Sequence, residues 1–170
     1  MSHHACREHR LATSSAPPRE RVDTWRRQVA DAALTLTVAA DDPATFQASL
    51  VGAKFEPLTL FRWRMSPGRT FRDRREMADG VAVYCLVRPR TMPVEMCCRG
   101  ETRSIRPREG ALLFTIAPSA INSIGRRPLD FSVDVIPMRE LDVRLPHAAA
   151  ALLRPLDDRN DAFALANRYR

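Results

Sequence analysis

The side chains best suited to bind metal ions lie near the two ends of the chain. Four residues of metal-ligating types cluster near the N-terminus: His3, His4, Cys6 and His9. The surrounding residues 1–16 are polar and lack periodicity, so we expect a flexible tail that holds metal only adventitiously. The remaining histidine, His147, begins an alanine-rich stretch, where a surface or helix-cap role is expected.

Residues 50–138 contain no histidine, although strand-like patterns are concentrated there. A metal-dependent enzyme built on a small β-barrel would need two or three inward histidines and a carboxylate, because imidazole is the usual ligand. The chain also lacks a Gly-x-Ser-x-Gly motif for a nucleophilic serine and a glycine-rich phosphate loop. The sequence therefore predicts no metal, no cofactor and no catalytic residues, and we expect a protein that is not an enzyme.

Cys97 and Cys98 are adjacent in a strand-like run. They form either a vicinal redox pair or two ordinary thiols on opposite faces of a strand, and the alternation of strand side chains favours the second interpretation. The N-terminus has no apolar signal-peptide region, and no window approaches about 18 consecutive apolar residues. We therefore expect a cytoplasmic protein without a membrane span.

The formal net charge of +7 and the pI of about 10.2 at first suggest a polyanionic partner. However, Lys54 is the only lysine, and the arginines are spread along the chain and interleaved with acids. A nucleic-acid groove needs charge concentrated on one face together with stacking aromatic residues, and aromatic residues make up only 6% of this chain. We expect no direct contact with nucleic acid.

Residues 101–121 organise the predicted fold. A half-polar run over residues 101–106 is followed by a Pro-Arg-Glu-Gly turn and a continuous apolar run over residues 111–116. One strand with an exposed face, followed by one covered on both faces, is typical of a closed antiparallel barrel or sandwich. The sequence predicts that these two runs form the central hairpin of a mostly β fold with flanking helices. The other predicted elements are a helix over 17–34, a short helix over 43–50, strands over 51–55, 57–65, 70–75 (exposed), 81–87, 94–99 and 129–138, a loop over 117–128, and helices over 139–144, 147–154 and 161–170.

This order of elements resembles the effector-sensing and dimerisation domain of AraC-type bacterial transcription regulators with a cupin-like barrel. Five stretches carry the resemblance: Pro-Pro-Arg-Glu-Arg-Val-Asp-Thr-Trp-Arg over 17–26, Asp-Pro-Ala-Thr-Phe over 42–46, Gly-Glu-Thr over 100–102, Pro-Arg-Glu-Gly-Ala-Leu-Leu over 107–113, and Leu-Arg-Pro-Leu-Asp over 153–157. The match departs from the family at Ala111, where an acid usually follows the turn glycine. It also departs at Arg88-Pro89-Arg90, where a glycine is usual.

The resemblance implies a tail over 1–16, a cupin-like sensor domain over 17–138, and a helical dimerisation or linker segment over 139–170. The family's regulators carry two further helix-turn-helix units, which this sequence lacks. We therefore expect contact with DNA only indirectly, through a full-length regulator or because the chain is a truncated one. The alternatives are a stand-alone cupin-like small-molecule-binding protein and an isomerase-type enzyme.

As a sensor, the barrel would hold an unidentified small effector. The candidate pocket residues are Trp63, Tyr84, Met96 and Phe114, with Arg64 or Arg74 as the counter-charge for an anionic effector. The alternative is that these side chains simply fill the core, since the interior of a small barrel is just wide enough for them. The partner is expected to be a second copy or a full-length regulator, bound through an exposed apolar stripe of Leu141, Leu145, Leu152, Leu153 and Leu156.

Overall fold

The computed structural model describes residues 7–144, 152–154 and 156–157. Over these residues the chain forms two sheets and two α-helices. The strands are β1 (Arg7–Ala12), β2 (Thr37–Ala40), β3 (Ala48–Phe55), β4 (Leu58–Met65), β5 (Gly68–Arg72), β6 (Val83–Pro89), β7 (Val94–Cys98), β8 (Glu101–Ile105), β9 (Glu109–Phe114), β10 (Ser119–Ser123), β11 (Leu129–Pro137) and β12 (Leu156–Asp157). The helices are α1 (Arg21–Ala32) and α2 (Met138–Arg144).

The larger sheet has the strand order β1-β3-β4-β11-β6-β9-β12, and the smaller sheet has the order β2-β5-β10-β7-β8. Neighbouring strands in both sheets run antiparallel. One core cluster joins buried side chains from the two sheets, including Phe131 and Val87 of the larger sheet and Met96 and Ile105 of the smaller one. The predicted fold class, an antiparallel β-sandwich with flanking helices, is confirmed.

Period-two alternation fixes which face of β4 is buried. Phe61, Trp63 and Met65 are buried, whereas the intervening Arg62 and Arg64 are exposed. β11 pairs with residues 59–65 of this strand, placing Phe131 beside Trp63. Because a one-residue slip of either strand would turn its aromatic ring to the exposed face, this pattern specifies the register.

Helix α1 is the predicted N-terminal helix with narrower bounds. A short 3-10 helix, Pro18–Glu20, precedes it, and Trp25 and Val29 are fully buried on one face. The Trp25 ring meets the Trp63 ring edge-on at a centroid distance of 5.1 Å. An edge-to-face aromatic pair of this kind adds roughly 0.5–1.5 kcal/mol beyond the buried area, so it anchors the helix to the larger sheet.

The predicted hairpin over residues 101–116 is wrong, because its two strands belong to different sheets. β8 pairs with β7 in the smaller sheet, whereas β9 pairs with β6 and β12 in the larger sheet. The turn between them is closed by Glu109, whose backbone N–H donates to the Arg106 carbonyl and whose side chain accepts from the Arg106 N–H at 2.8 Å. Residues 106–108 therefore connect the smaller sheet to the larger sheet.

Two predictions for the N-terminal third are also wrong. The expected tail contains β1, which pairs along its length with β3. The helix expected over 43–50 is a turn followed by the start of β3. The Asp42 side chain accepts hydrogen bonds from the Ala44 N–H and the Thr45 hydroxyl, and these bonds stabilise the turn instead of a helix start.

Three further predictions need correction. The loop expected over 117–128 contains β10, which lies between β5 and β7. The strand over 70–75, expected to be exposed, overlaps β5, whose Thr70 and Arg72 are buried. The helix expected over 147–154 is absent at 152–154, where Leu152 forms a bridge with Leu112. The rest of that helix and the one over 161–170 lie outside the described residues.

Gly52 of β3 lies under the ring of Phe61, its partner on β4. A Cβ atom at this position would lie 2.4 Å from Phe61 Cδ1 and 2.2 Å from the Leu60 carbonyl oxygen. Because the carbonyl belongs to the sheet backbone, it cannot shift without disturbing the pairing of β3 with β4. We expect Gly52→Ala to destabilise the fold by about 1–3 kcal/mol in urea unfolding, as overpacking does. Ala53→Ser on the same strand serves as the control, and an equal loss in both variants would contradict this interpretation.

Candidate functional site

A depression of about 510 Å³ lies where β3 begins and β4 ends. Its lining combines hydroxyl, charged and thioether side chains. Ser14, Ser49, Arg64, Met65, Met92 and Asp130 are among them. Small-molecule sites are typically concave and largely apolar with a few fixed polar groups, so this depression is the candidate ligand site.

Hydrogen bonds hold the N-terminal wall of the depression in place. Thr13 is fully buried and exchanges backbone and side-chain hydrogen bonds with Ala48: its hydroxyl accepts from the Ala48 N–H at 2.9 Å, and its N–H donates to the Ala48 carbonyl at 3.0 Å. On the adjacent wall the Ser66 hydroxyl accepts from the Gln47 N–H at 2.9 Å. Both walls are therefore anchored to the start of β3.

Asp130 is the one carboxylate among the described residues of this lining, and it is only 7% exposed. Its Oδ2 accepts hydrogen bonds from Arg64 at 3.3 Å and from Arg62 at 3.5 Å, both from β4. Its Oδ1 is buried and has no hydrogen-bond partner among the described residues. A buried carboxylate oxygen without a donor is costly, so Asp130 has an unused hydrogen-bond acceptor beside the depression.

An aromatic cluster lies on the inner face of the same strands. Trp63 stacks on Phe131 at a centroid distance of 5.7 Å and meets Trp25 edge-on. Next to this cluster, Met65 of β4 lies opposite Leu129 of β11. Both side chains are buried and line the depression. The chain has only two tryptophans, so its intrinsic fluorescence reports on this cluster.

The structure places all four predicted apolar pocket residues in the buried core cluster. These are Trp63, Tyr84, Met96 and Phe114. Tyr84 and Phe114 pair across β6 and β9 with their rings 5.4 Å apart, and the Tyr84 hydroxyl donates to Asp142 of α2. Within this set only Arg64 lines the depression, while Arg74 is exposed in the turn after β5.

The described leucines predicted for dimerisation pack within their own chain. Leu153 is 2% exposed, and Leu141, Leu152 and Leu156 pack partly buried against the core. Leu145 lies outside the described residues. The expected exposed apolar stripe is therefore wrong for Leu153, whose N–H also donates to the Leu112 carbonyl at 3.1 Å.

A second polar cluster surrounds Arg72 of β5, which is 3% exposed. Its guanidinium donates to the carbonyl oxygens of Thr115 and Thr35 at 3.0 and 2.6 Å and to both carboxylate oxygens of Asp79. Burial raises the pKa of the neighbouring Cys85 thiol to about 12, so no thiolate forms there near neutral pH. All three guanidinium nitrogens of Arg72 donate to acceptors in its own chain, so this cluster supports the fold.

Hydrogen bonds lower the pKa of both carboxyl groups in this cluster. The Arg72 guanidinium is the main cause for Asp79, whose pKa falls well below its usual range. For Glu76, burial opposes ionisation, but hydrogen bonds from Thr37 and Asp73 outweigh it and lower the pKa to about 2. Both groups are therefore ionised in the folded protein at any moderately acidic pH.

In the described parts of the chain, no group of three His, Cys, Asp or Glu side chains converges in a way that would hold a metal ion. In the predicted N-terminal cluster, His3, His4 and Cys6 lie outside the described residues, as does His147. His9 of β1 packs edge-on against Phe61 at 6.0 Å. No helix among the described residues is long and apolar enough to cross a membrane.

Comparison with known proteins finds likeness in structure alone. No protein-family model matches the sequence, and no curated protein matches it. Among solved structures, the AraC-like transcriptional activator CuxR superposes with a TM-score of 0.60 at 16% identity, over 78% of this chain and 48% of that one. A cupin 2 conserved barrel domain protein from Rhodopseudomonas palustris matches with a TM-score of 0.42 at 12% identity, over 80% and 85% of the two chains. The chain has a cupin-like fold.

This chain spans about half the length of CuxR, and the likeness at 16% identity concerns the fold alone. A structure described as DMSP lyases RdDddP and RnDddQII also matches, with a TM-score of 0.46 at 12% identity over 70% of this chain and 66% of the matched one. The prediction that the chain is not an enzyme is wrong as an inference from sequence, because missing motifs do not exclude catalysis. The likeness shows no catalytic activity for this chain either.

The lowered carboxyl pKa values make the cupin-like fold sensitive to acid. A group whose pKa is depressed by folding stabilises the native state above its unfolded pKa, and this contribution is lost as the pH falls. We expect the free energy of unfolding to fall as the pH drops from about 4.5 towards about 2. Glu76→Gln should reduce this slope, measured by urea unfolding, whereas the exposed Glu20→Gln should leave it unchanged. Equal slopes in all three proteins would contradict the assignment.

Proposed function

We propose that this chain is the ligand-sensing and dimerisation module of an AraC-type transcription regulator, with its effector bound in the depression beside Asp130. The observation that carries the proposal is the buried Asp130 Oδ1, which has no hydrogen-bond partner among the described residues. The regulatory role is supported by the fold shared with the AraC-like activator CuxR and by the AraC-type order of elements in the sequence.

The lining of the depression defines the class of effector. Asp130 Oδ1 requires a donor, which a hydroxyl or ammonium group supplies. The side chain of Arg64 is 58% exposed and uses only its Nε on Asp130, so its terminal nitrogens are available to a carbonyl or carboxylate. Met65 and Met92 supply an apolar, adaptable wall. The effector is therefore a small hydroxylated acid or ketone with an apolar part.

A thermal-shift screen of hydroxylated acids and ketones, paired with their deoxy analogues, tests this assignment. A ligand that binds only the native state must raise the unfolding temperature. We expect hydroxylated compounds to raise it and their deoxy analogues to fail, because the analogues leave Asp130 Oδ1 unpaired. If no compound of this class stabilises the protein, the sensor assignment is overturned.

Two substitutions on β11 separate ligand binding from stability. Asp130→Asn removes the carboxylate from the depression, and we expect about a tenfold or greater loss of affinity for a confirmed ligand. Asp134→Asn is the matched control, since Asp134 lies four residues further along β11, forms an ion pair with Arg88 of β6 and lies outside the depression. Fluorescence of Trp25 and Trp63 measures binding. An equal loss in both variants would contradict the assignment.

A regulatory module of this type also needs a second copy of itself or a full-length regulator as partner. The proposal therefore expects a concentration-dependent homodimer in light scattering. A strict monomer at every accessible concentration would leave the heterodimer with a full-length regulator as the remaining form of the proposal. Co-purification with such a regulator then decides between a regulatory role and a stand-alone cupin-like binding protein.

A further inference from the structure

We infer that a second depression, between the β7–β8 turn and residues 152–154, binds the phosphate group of a small molecule. Its volume is about 280 Å³, and no described residue lines both this depression and the one beside Asp130. A water molecule occupies about 30 Å³ in the liquid, so the space accommodates a phosphate with a small organic substituent. The inference does not rest on the proposed function.

The charge of the lining matches a phosphate monoester. Among the described residues, Arg99, Arg103 and Arg154 line the depression together with one acid, Glu101, which gives three positive groups and one negative group. Burial raises the pKa of the adjacent Cys98 thiol, so that group stays neutral. The excess of two positive charges complements a phosphate, which carries about −1.5 to −2 near pH 7, better than a carboxylate with a single charge.

The three arginines have no carboxylate partner among the described residues. Arg62, Arg64, Arg72 and Arg88 of the barrel strands each form ion pairs within the protein. The structure shows no such pair for the arginines of this depression within the described ranges. Guanidinium groups bind phosphate through paired N–H donors, so these unpaired groups are suited to receive one.

The local backbone positions the arginines from two distant parts of the chain. Arg99 has a left-handed φ of 53°, its N–H donates to the Pro118 carbonyl at 3.2 Å, and its guanidinium lies 5.0 Å above the Phe114 ring. Arg154 follows Leu153, which is buried and donates its N–H to the Leu112 carbonyl. A phosphate held by both arginines would tie the segment that follows α2 to the turn between β7 and β8.

Calorimetric titration at constant ionic strength with phenyl phosphate, inorganic phosphate and benzoate tests the inference. We expect one phosphate per chain and at least tenfold weaker binding of benzoate. Arg103→Gln and Arg154→Gln should each weaken phenyl phosphate binding about tenfold, the loss expected for one charged hydrogen bond. Arg74→Gln removes the same charge from an exposed position outside both depressions, so it should bind like the unmodified protein.

Three results would overturn the inference. Benzoate binding as tightly as phenyl phosphate would show that the phosphate charge is not recognised. An equal loss in Arg74→Gln would show only general attraction to a chain of net charge +7. Unchanged binding in both site variants, with unfolding temperatures matching the unmodified protein, would place the phosphate elsewhere. Because Asp130 lies outside this depression, Asp130→Asn should leave phosphate binding intact, which separates this test from that of the proposed function.

Discussion

The buried guanidinium of Arg72 is the interaction on which much of the sandwich depends. Arg72 belongs to β5 of the smaller sheet, and it donates to the Thr115 carbonyl at the end of β9 in the larger sheet. It also binds the segment before β2 and the Asp79 carboxylate in the connection to β6. One side chain thus joins two sheets and two connecting segments.

Burying a charge is costly unless it is paired and its donors are satisfied. Here Asp79 neutralises the guanidinium, and backbone carbonyls accept its remaining N–H groups. A lysine in its place would offer a single ammonium on a flexible stem, which cannot reach acceptors in several directions with fixed geometry. The arrangement contrasts with the depression beside Asp130, where a carboxylate oxygen lacks a donor. The first cluster is complete within the protein, whereas the second has an unused acceptor.

Much of the fold was predictable because burial leaves a periodic pattern. The alternation of β4 and the apolar run of β6 identified their places in the sheet, and Trp25 marked the buried face of α1. The hydrophobic pattern gave wrong predictions where the buried side chains are polar. β5 was predicted to be exposed because arginine usually lies at the surface. The partner that allows Arg72 to be buried, Asp79, is seven positions away in sequence. β1 was predicted to be part of a flexible tail because it is a mostly exposed edge strand and so carries few apolar residues.

The candidate site was less predictable than the fold. The sequence pointed to Trp63, Tyr84, Met96 and Phe114 inside the barrel, but all four side chains belong to the buried core cluster. Asp130 was not predicted as a site residue because a single acid in an alternating strand is expected to face solvent. Its position between Leu129 and Phe131, two buried residues, even favours exposure, because neighbouring strand side chains point to opposite faces. The opposing arginines become visible only once the register with β4 is known.

The two ends of the described chain lie at opposite edges of the larger sheet, as β1 and β12. β1 contributes six residues and β12 only two. These short strands shield the longer β3 and β9, whose free backbone groups would otherwise be templates for another chain. Loss of β1 would also leave Val51 and Phe55 of β3, already half exposed, beside an unpaired edge. The terminal segments therefore protect the fold against aggregation and strand exchange between molecules, in addition to completing the sheet.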